Sequence, residues 1–151
     1  MNQKQPALPL TDYRVNVKLK LALLWSSLMM LYIYADYFRL MLPGKIQEMM
    51  DLQTPVGETT PRLLMIFSLL LIVPALMITL SVLLKPVFNK WLNIIFGLLY
   101  AVISILIIVA AYSDAWQGFF VVYNVTELIV LTAIVWQAWK WPNCQPAEKT
   151  L

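Results

Sequence analysis

Along this chain polar and apolar positions separate by segment: four apolar runs, at about 21–42, 63–84, 91–112 and 118–139, alternate with short polar stretches. A helix rises ~1.5 Å per residue, so runs of about 22 residues cover roughly 33 Å, enough to cross a hydrocarbon core with modest tilt. The pattern predicts an all-α, integral membrane four-helix bundle at 21–141, with tails at 1–20 and 142–151. The first run is too long for the h-region of a signal peptide and lacks a small-residue cleavage site, so it is expected to remain as a span.

The punctuation fits these limits. Pro43-Gly44 stops the first span, a proline that cannot continue the helix beside a residue without a Cβ penalty. Thr60-Pro61 reads as an N-cap with proline at the first helical position. Pro74, near the middle of the second span, predicts a kink or a local break in hydrogen bonding. Lys85-Pro86 closes that span, and a turn through Asn89 and Lys90 is expected before the third. Another short turn covers Ser113 to Gln117. Between Lys45 and Leu52 a weak helical pattern puts Ile46, Met49 and Met50 on one side, suited to the membrane interface. A further surface-lying segment is expected around Tyr13 to Val17.

Composition narrows the class. Hydrophobic residues make up 61% of the chain and charged residues 13%, with a mean hydropathy of +0.73, outside the range of a soluble domain. Histidine is absent, which removes the commonest metal ligand and physiological general base. Cys144 is the single cysteine, so neither an intramolecular disulfide nor a dithiol relay is available. The methionines at 29, 30, 41, 49 and 50 read as packing material rather than a soft metal site. No cofactor, metal site or catalytic residue is expected. No basic patch interleaved with aromatics appears, so nucleic acid is not an expected partner.

Charge then sets orientation. Lys4, Arg14, Lys18, Lys20, Lys85, Lys90, Lys140 and Lys149 fall on one side of the predicted membrane, against Lys45 and Arg62 on the other, where Glu48, Asp51, Glu58 and Asp114 also lie. Both termini are therefore expected in the cytoplasm, with the 45–61 loop outside. Trp139-Lys140-Trp141-Pro142 resembles an aromatic interface anchor around a cation, with a helix stop behind it.

In lipid, polar and small residues at helical spacing mark faces that meet other helices or a cavity. Such stripes are Trp25, Met29, Tyr32, Asp36 and Arg39; Ser68, Ala75 and Thr79; Asn93, Gly97, Tyr100, Ser104 and Ala111; and Asn124, Glu127 and Ala138. At ~1.5 Å per residue Asp36 lies ~9 Å and Glu127 ~13 Å from the outer ends of their spans. The expected site is thus an outward-facing polar pocket, with Asp36, Arg39 and Glu127 as its charged core and Tyr32, Tyr100, Tyr123 and Asn124 supplying hydrogen bonds. Against this stands a structural reading, in which Asp36 and Arg39, at i and i+3, neutralise one another. Glu127 has no opposite charge on its own helix, so it pairs with Arg39, keeps its proton or reaches water.

Three pieces, YADYFRLMLPG, NKWLNIIFGLLY and ELIVLTAIVWQAWKWP, together resemble small four-span bacterial membrane proteins grouped as a domain of unknown function. The resemblance places Asp36, Pro43 and Gly44, Asn93, Gly97 and Tyr100, and Glu127 with Trp139 to Pro142 on shared positions. It implies a four-helix fold in a bacterial inner membrane and leaves the chemistry open.

Three functions compete. The first is binding of a small molecule or lipid in the pocket, as a transporter or transporter subunit; a non-enzymatic role is favoured. The second is a structural or accessory subunit, with a second copy of the chain among the candidate partners and charges that only set helix packing. The third is a membrane enzyme acting on a lipid or isoprenoid, with Asp36 or Glu127 as general acid or base.

Overall fold

The computed structural model describes residues 15–54, 57–111 and 115–141. The expectations for Arg14, Asp114, Pro142, Cys144, residues 1–14 and the C-terminal tail lie outside them, while residues 17–20 of the expected N-terminal tail are already helical. The described chain is all-α apart from a hairpin of two two-residue strands. Its elements are α1 (Val17–Arg39), α2 (Lys45–Met50), strands β1 (Gln53–Thr54) and β2 (Gly57–Glu58), α3 (Pro61–Leu83), α4 (Pro86–Ala111), a 3-10 turn (Ala115–Gln117) and α5 (Gly118–Trp139). Helices α1, α3, α4 and α5 are long and apolar enough to cross a membrane.

Local chemistry explains most of the boundaries. Asn16 caps α1, its side chain accepting from the Lys18 amide at 2.9 Å. Thr60 caps α3 by accepting from the Leu63 amide at 3.2 Å, with Pro61 at the first helical position. Helix α1 stops at Arg39, three residues before the expected Leu42. Proline disfavours the α conformation at the residue before it, and the chain tightens through bonds from the amides of Met41 to Phe38 and Leu42 to Arg39. Gly44, at φ 76°, then turns the backbone into α2.

The expected turn at Asn89 and Lys90 is absent. Helix α4 starts at Pro86, because proline suits a first helical turn, and both residues lie within the helix. Helix α3 continues through Pro74, where the expected local break in hydrogen bonding falls at the Leu70 carbonyl.

The four long helices run up and down. α1 packs on α3 and α5, α5 packs extensively on α4, and α3 touches α4 along little of its length. At the end of the bundle holding the α3–α4 turn, Leu21, Trp25, Leu28, Met77, Ile94, Leu131, Ile134 and Ala138 form the main core. A smaller cluster of Ala35, Ala111 and Phe120 sits at the other, hairpin end. Gly97 allows the close α4–α5 contact: a Cβ there would stand 2.7 Å from Cγ2 of Val135.

A buried polar network braces the main core. The indole Nε1 of Trp25 donates to Oδ1 of Asn93 at 2.7 Å, and the Ser81 hydroxyl donates to the same oxygen at 3.4 Å. Asn93 Nδ2 donates to the Asn89 carbonyl at 2.8 Å and to its Oδ1 at 2.6 Å, while Asn89 Nδ2 donates to the Ser81 carbonyl. Every member finds partners, as a polar group in hydrocarbon must. Beside it, Lys18 Nζ donates to the carbonyls of Val82 at 3.1 Å and Leu84 at 2.7 Å, satisfying the open end of α3.

The stripe expected on α3 is corrected. Ser68, Ala75 and Thr79 are exposed, and the buried positions are Pro74, Met77 and Ser81. Ser68 bonds the carbonyl of Leu64, four residues back, at 2.8 Å. A hydroxyl satisfied by its own helix can face lipid, so small polar residues did not mark the packed face here. On α4 and α5 the expected residues Asn93, Gly97, Tyr100, Ser104, Ala111, Asn124, Glu127 and Ala138 are all buried.

Candidate functional site

Between the main core and the small cluster at the hairpin end the four helices leave a cavity of about 410 Å³. Helix α1 contributes Tyr32, Ala35, Asp36 and Arg39, α3 Phe67, Leu70 and Leu71, α4 Tyr100, Ile103, Ser104 and Ile107, and α5 Phe120, Asn124 and Glu127. Spacing of three and four residues on α1, α4 and α5 turns these positions to one side of each helix. The expected Tyr32, Asp36, Arg39, Tyr100, Asn124 and Glu127 are therefore brought together. Tyr123 is not: it lies at the α1–α5 seam, its ring 6.3 Å from that of Phe38.

The cavity continues into a vestibule of about 960 Å³ at the hairpin end, sharing with it Asp36, Arg39, Phe67, Ile103, Ile107 and Phe120. Lys45 and Met49 of α2 and Gln53 and Thr54 of β1 line the vestibule's other wall. The loop between the first two spans thus forms the rim of the site.

The charged groups do not cancel one another by contact. Among the described residues the one salt bridge is Lys45 to Glu48, at 2.7 Å on the surface. Arg39 instead holds its guanidinium 5.0 Å from the centre of the Phe120 ring, an apolar platform that leaves its N–H groups available. Glu127, 3% exposed, accepts at Oε2 from the Ser104 hydroxyl at 3.1 Å. Asn124 Nδ2 donates to the Phe120 carbonyl at 2.8 Å, and its Oδ1 is buried without a partner among the described residues. Tyr100 lines the cavity with its ring, while its hydroxyl donates to the Leu70 carbonyl at 2.6 Å.

A family model matches residues 9–142 and describes a family of unknown function, DUF6326. The chain belongs to that family. Comparison with curated proteins and with solved structures returns no match. The matched segment of this DUF6326 chain includes all four long helices and every cavity residue.

Sequence reasoning did not reach the apolar walls of the DUF6326 cavity, Phe67, Leu70, Leu71, Ile103, Ile107 and Phe120. Inside apolar runs such residues carry no signal that separates a wall from a lipid-facing position. Ser104 was legible as a packed residue on the α4 stripe, but its bond to Glu127 depends on the α4–α5 contact. Ser81 and Asn89, which complete the braced network, had a weaker signal still: each is a polar residue near the end of a span, where an interfacial position would be ordinary.

Proposed function

We propose that this DUF6326 protein binds a small molecule or lipid in the cavity bounded by Asp36, Arg39, Asn124 and Glu127, as a transporter or transporter subunit. The observation that supports this reading is a cavity of about 410 Å³ lined by two carboxyl groups and a guanidinium that make no ion pair among the described residues. Ionisable residues inside a span are costly and are retained where they face a ligand pathway or water. A purely structural cluster would instead draw Arg39 onto Asp36 or Glu127 and close the space around them.

The excess of lysines at the α3–α4 turn end, Lys85, Lys90 and Lys140, supports cytoplasmic termini, and the resemblance to bacterial four-span proteins supports an inner-membrane location. The vestibule then opens outward. Transport of the bound molecule is the activity such an outward-facing cavity would serve.

The test is photolabelling with an alkyl diazirine amphiphile in reconstituted protein. Labels should map to Tyr32, Asn124 and neighbouring cavity positions, and Ser104→Phe, which fills the space, should remove them. Labelling confined to lipid-facing residues, and unchanged in Ser104→Phe, would exclude the binding reading.

A further inference from the structure

The wall of the cavity on α5 carries a fixed acceptor. Asn124 is 1% exposed, and its Nδ2 donates to the Phe120 carbonyl at 2.8 Å. Because a carbonyl can accept only from the amide nitrogen, the orientation of the amide is set, and Oδ1 is the polar atom left over on a side chain that lines the cavity. That oxygen has no partner among the described residues. A buried acceptor without a donor is rare because it is costly.

The donors that line the cavity, the Tyr32 hydroxyl included, make no bond to it. Glu127, three residues along the same helix, offers a carboxylate that receives only the Ser104 hydroxyl. The Tyr100 proton is given to Leu70. Arg39 is held over Phe120 on the side shared with the vestibule. The Asn124 and Glu127 wall therefore presents acceptors in excess, and the opposite wall, Phe67, Leu70, Leu71 and Ile103, is apolar. Phe67 and Leu71 are 37% and 43% exposed, on the side where α3 and α4 barely touch, so this wall adjoins the bilayer.

We propose that the ligand is a protonated primary amine on an apolar chain, its N–H groups donating to Asn124 Oδ1 and the Glu127 carboxylate while the chain lies against α3. This rests on the binding reading above and names its ligand class. An ammonium supplies three donors in a compact fan, positive charge opposite a carboxylate, and no acceptor that would meet Asn124 unpaired. Two sources share that chemistry: a free alkylamine and the headgroup of an aminophospholipid.

The experiment compares dodecylamine, dodecyltrimethylammonium and dodecanol by competition against the diazirine amphiphile, with the full chain in phosphatidylcholine nanodiscs. Dodecylamine is expected to compete at least about tenfold better than either of the others, since only it has both charge and N–H donors. Asn124→Leu, of similar size, should reduce that advantage about tenfold and leave dodecanol unchanged. Should that variant fail to fold, Glu127→Gln, which keeps the shape and removes the charge, is expected to show the same selective loss. Nanodiscs containing phosphatidylethanolamine then separate the sources: retention of that lipid over phosphatidylcholine in native mass spectra assigns a headgroup, and its absence assigns a free amine. Equal competition by all three probes, or by the two cations, overturns the amine assignment and leaves the cavity reading standing. Failure of the diazirine amphiphile itself to label the cavity removes both.

Discussion

The Tyr100 hydroxyl donates to the Leu70 carbonyl at 2.6 Å, four residues before Pro74. That carbonyl is the one Pro74 leaves without a helical donor, since proline has no N–H. A side chain from α4 thus repairs the hydrogen-bond ladder of α3, and the helix runs through its proline. It also ties α3 to α4 where the two otherwise make little contact.

Removing this bond should be visible through its dependence on Pro74. Tyr100→Phe leaves the Leu70 carbonyl without a donor and is expected to cost about 1–3 kcal/mol. In a Pro74→Ala background the alanine amide supplies the donor, so the same substitution should cost well under half as much. Thermal unfolding of the four proteins of this cycle in one detergent measures the coupling. Additive effects would show that the hydroxyl does not compensate for the proline.

The α4–α5 seam gives a second expectation. Gly97→Ala places a methyl 2.7 Å from Val135 Cγ2 and should destabilise by about 1–3 kcal/mol through overpacking. Val135→Ala in the same chain should recover most of that loss, because it removes the clashing methyl. A melting temperature unchanged by Gly97→Ala would mean the seam relaxes freely.

The polar network at the opposite end from the hairpin is expected to behave as one unit. Asn93→Leu strips the acceptor from both Trp25 Nε1 and the Ser81 hydroxyl. Each buried donor left unpaired costs on the order of 1–3 kcal/mol, so the variant should be far less stable than wild type. Trp25→Phe alone should lose less, since Asn93 keeps Ser81 and Asn89. Comparing the two by denaturation, with Trp25→Phe/Asn93→Leu as the double variant, should give strong non-additivity.

Orientation follows from labelling. With Cys144→Ser as background, Glu58→Cys on β2 should react with a membrane-impermeant maleimide in intact cells. Native Cys144, with position 58 unaltered, should react only after lysis. The reverse pattern would place the vestibule on the cytoplasmic side.

Four segments long and apolar enough to cross a membrane were legible in the chain itself, because burial in lipid demands long apolar runs and admits few charges within them. The caps at Thr60 and Pro61 were legible for a local reason, the geometry of a helix start. So were the packed faces of α4 and α5, where asparagine, glutamate and glycine recur at helical spacing. On α3 the same logic failed, since Ser68 satisfies itself within its own helix and the face that packs is built on Pro74 and Met77. What tertiary structure alone decided is which spans are neighbours and where they part. Asp36 and Glu127 lie 91 positions apart in sequence, and whether they meet depends on α1 packing beside α5. Whether Arg39 neutralises them depends on Phe120, which offers its guanidinium a platform elsewhere. The space between them exists because the main core fills the opposite half of the bundle, and no periodicity along a single helix reports a volume enclosed by four.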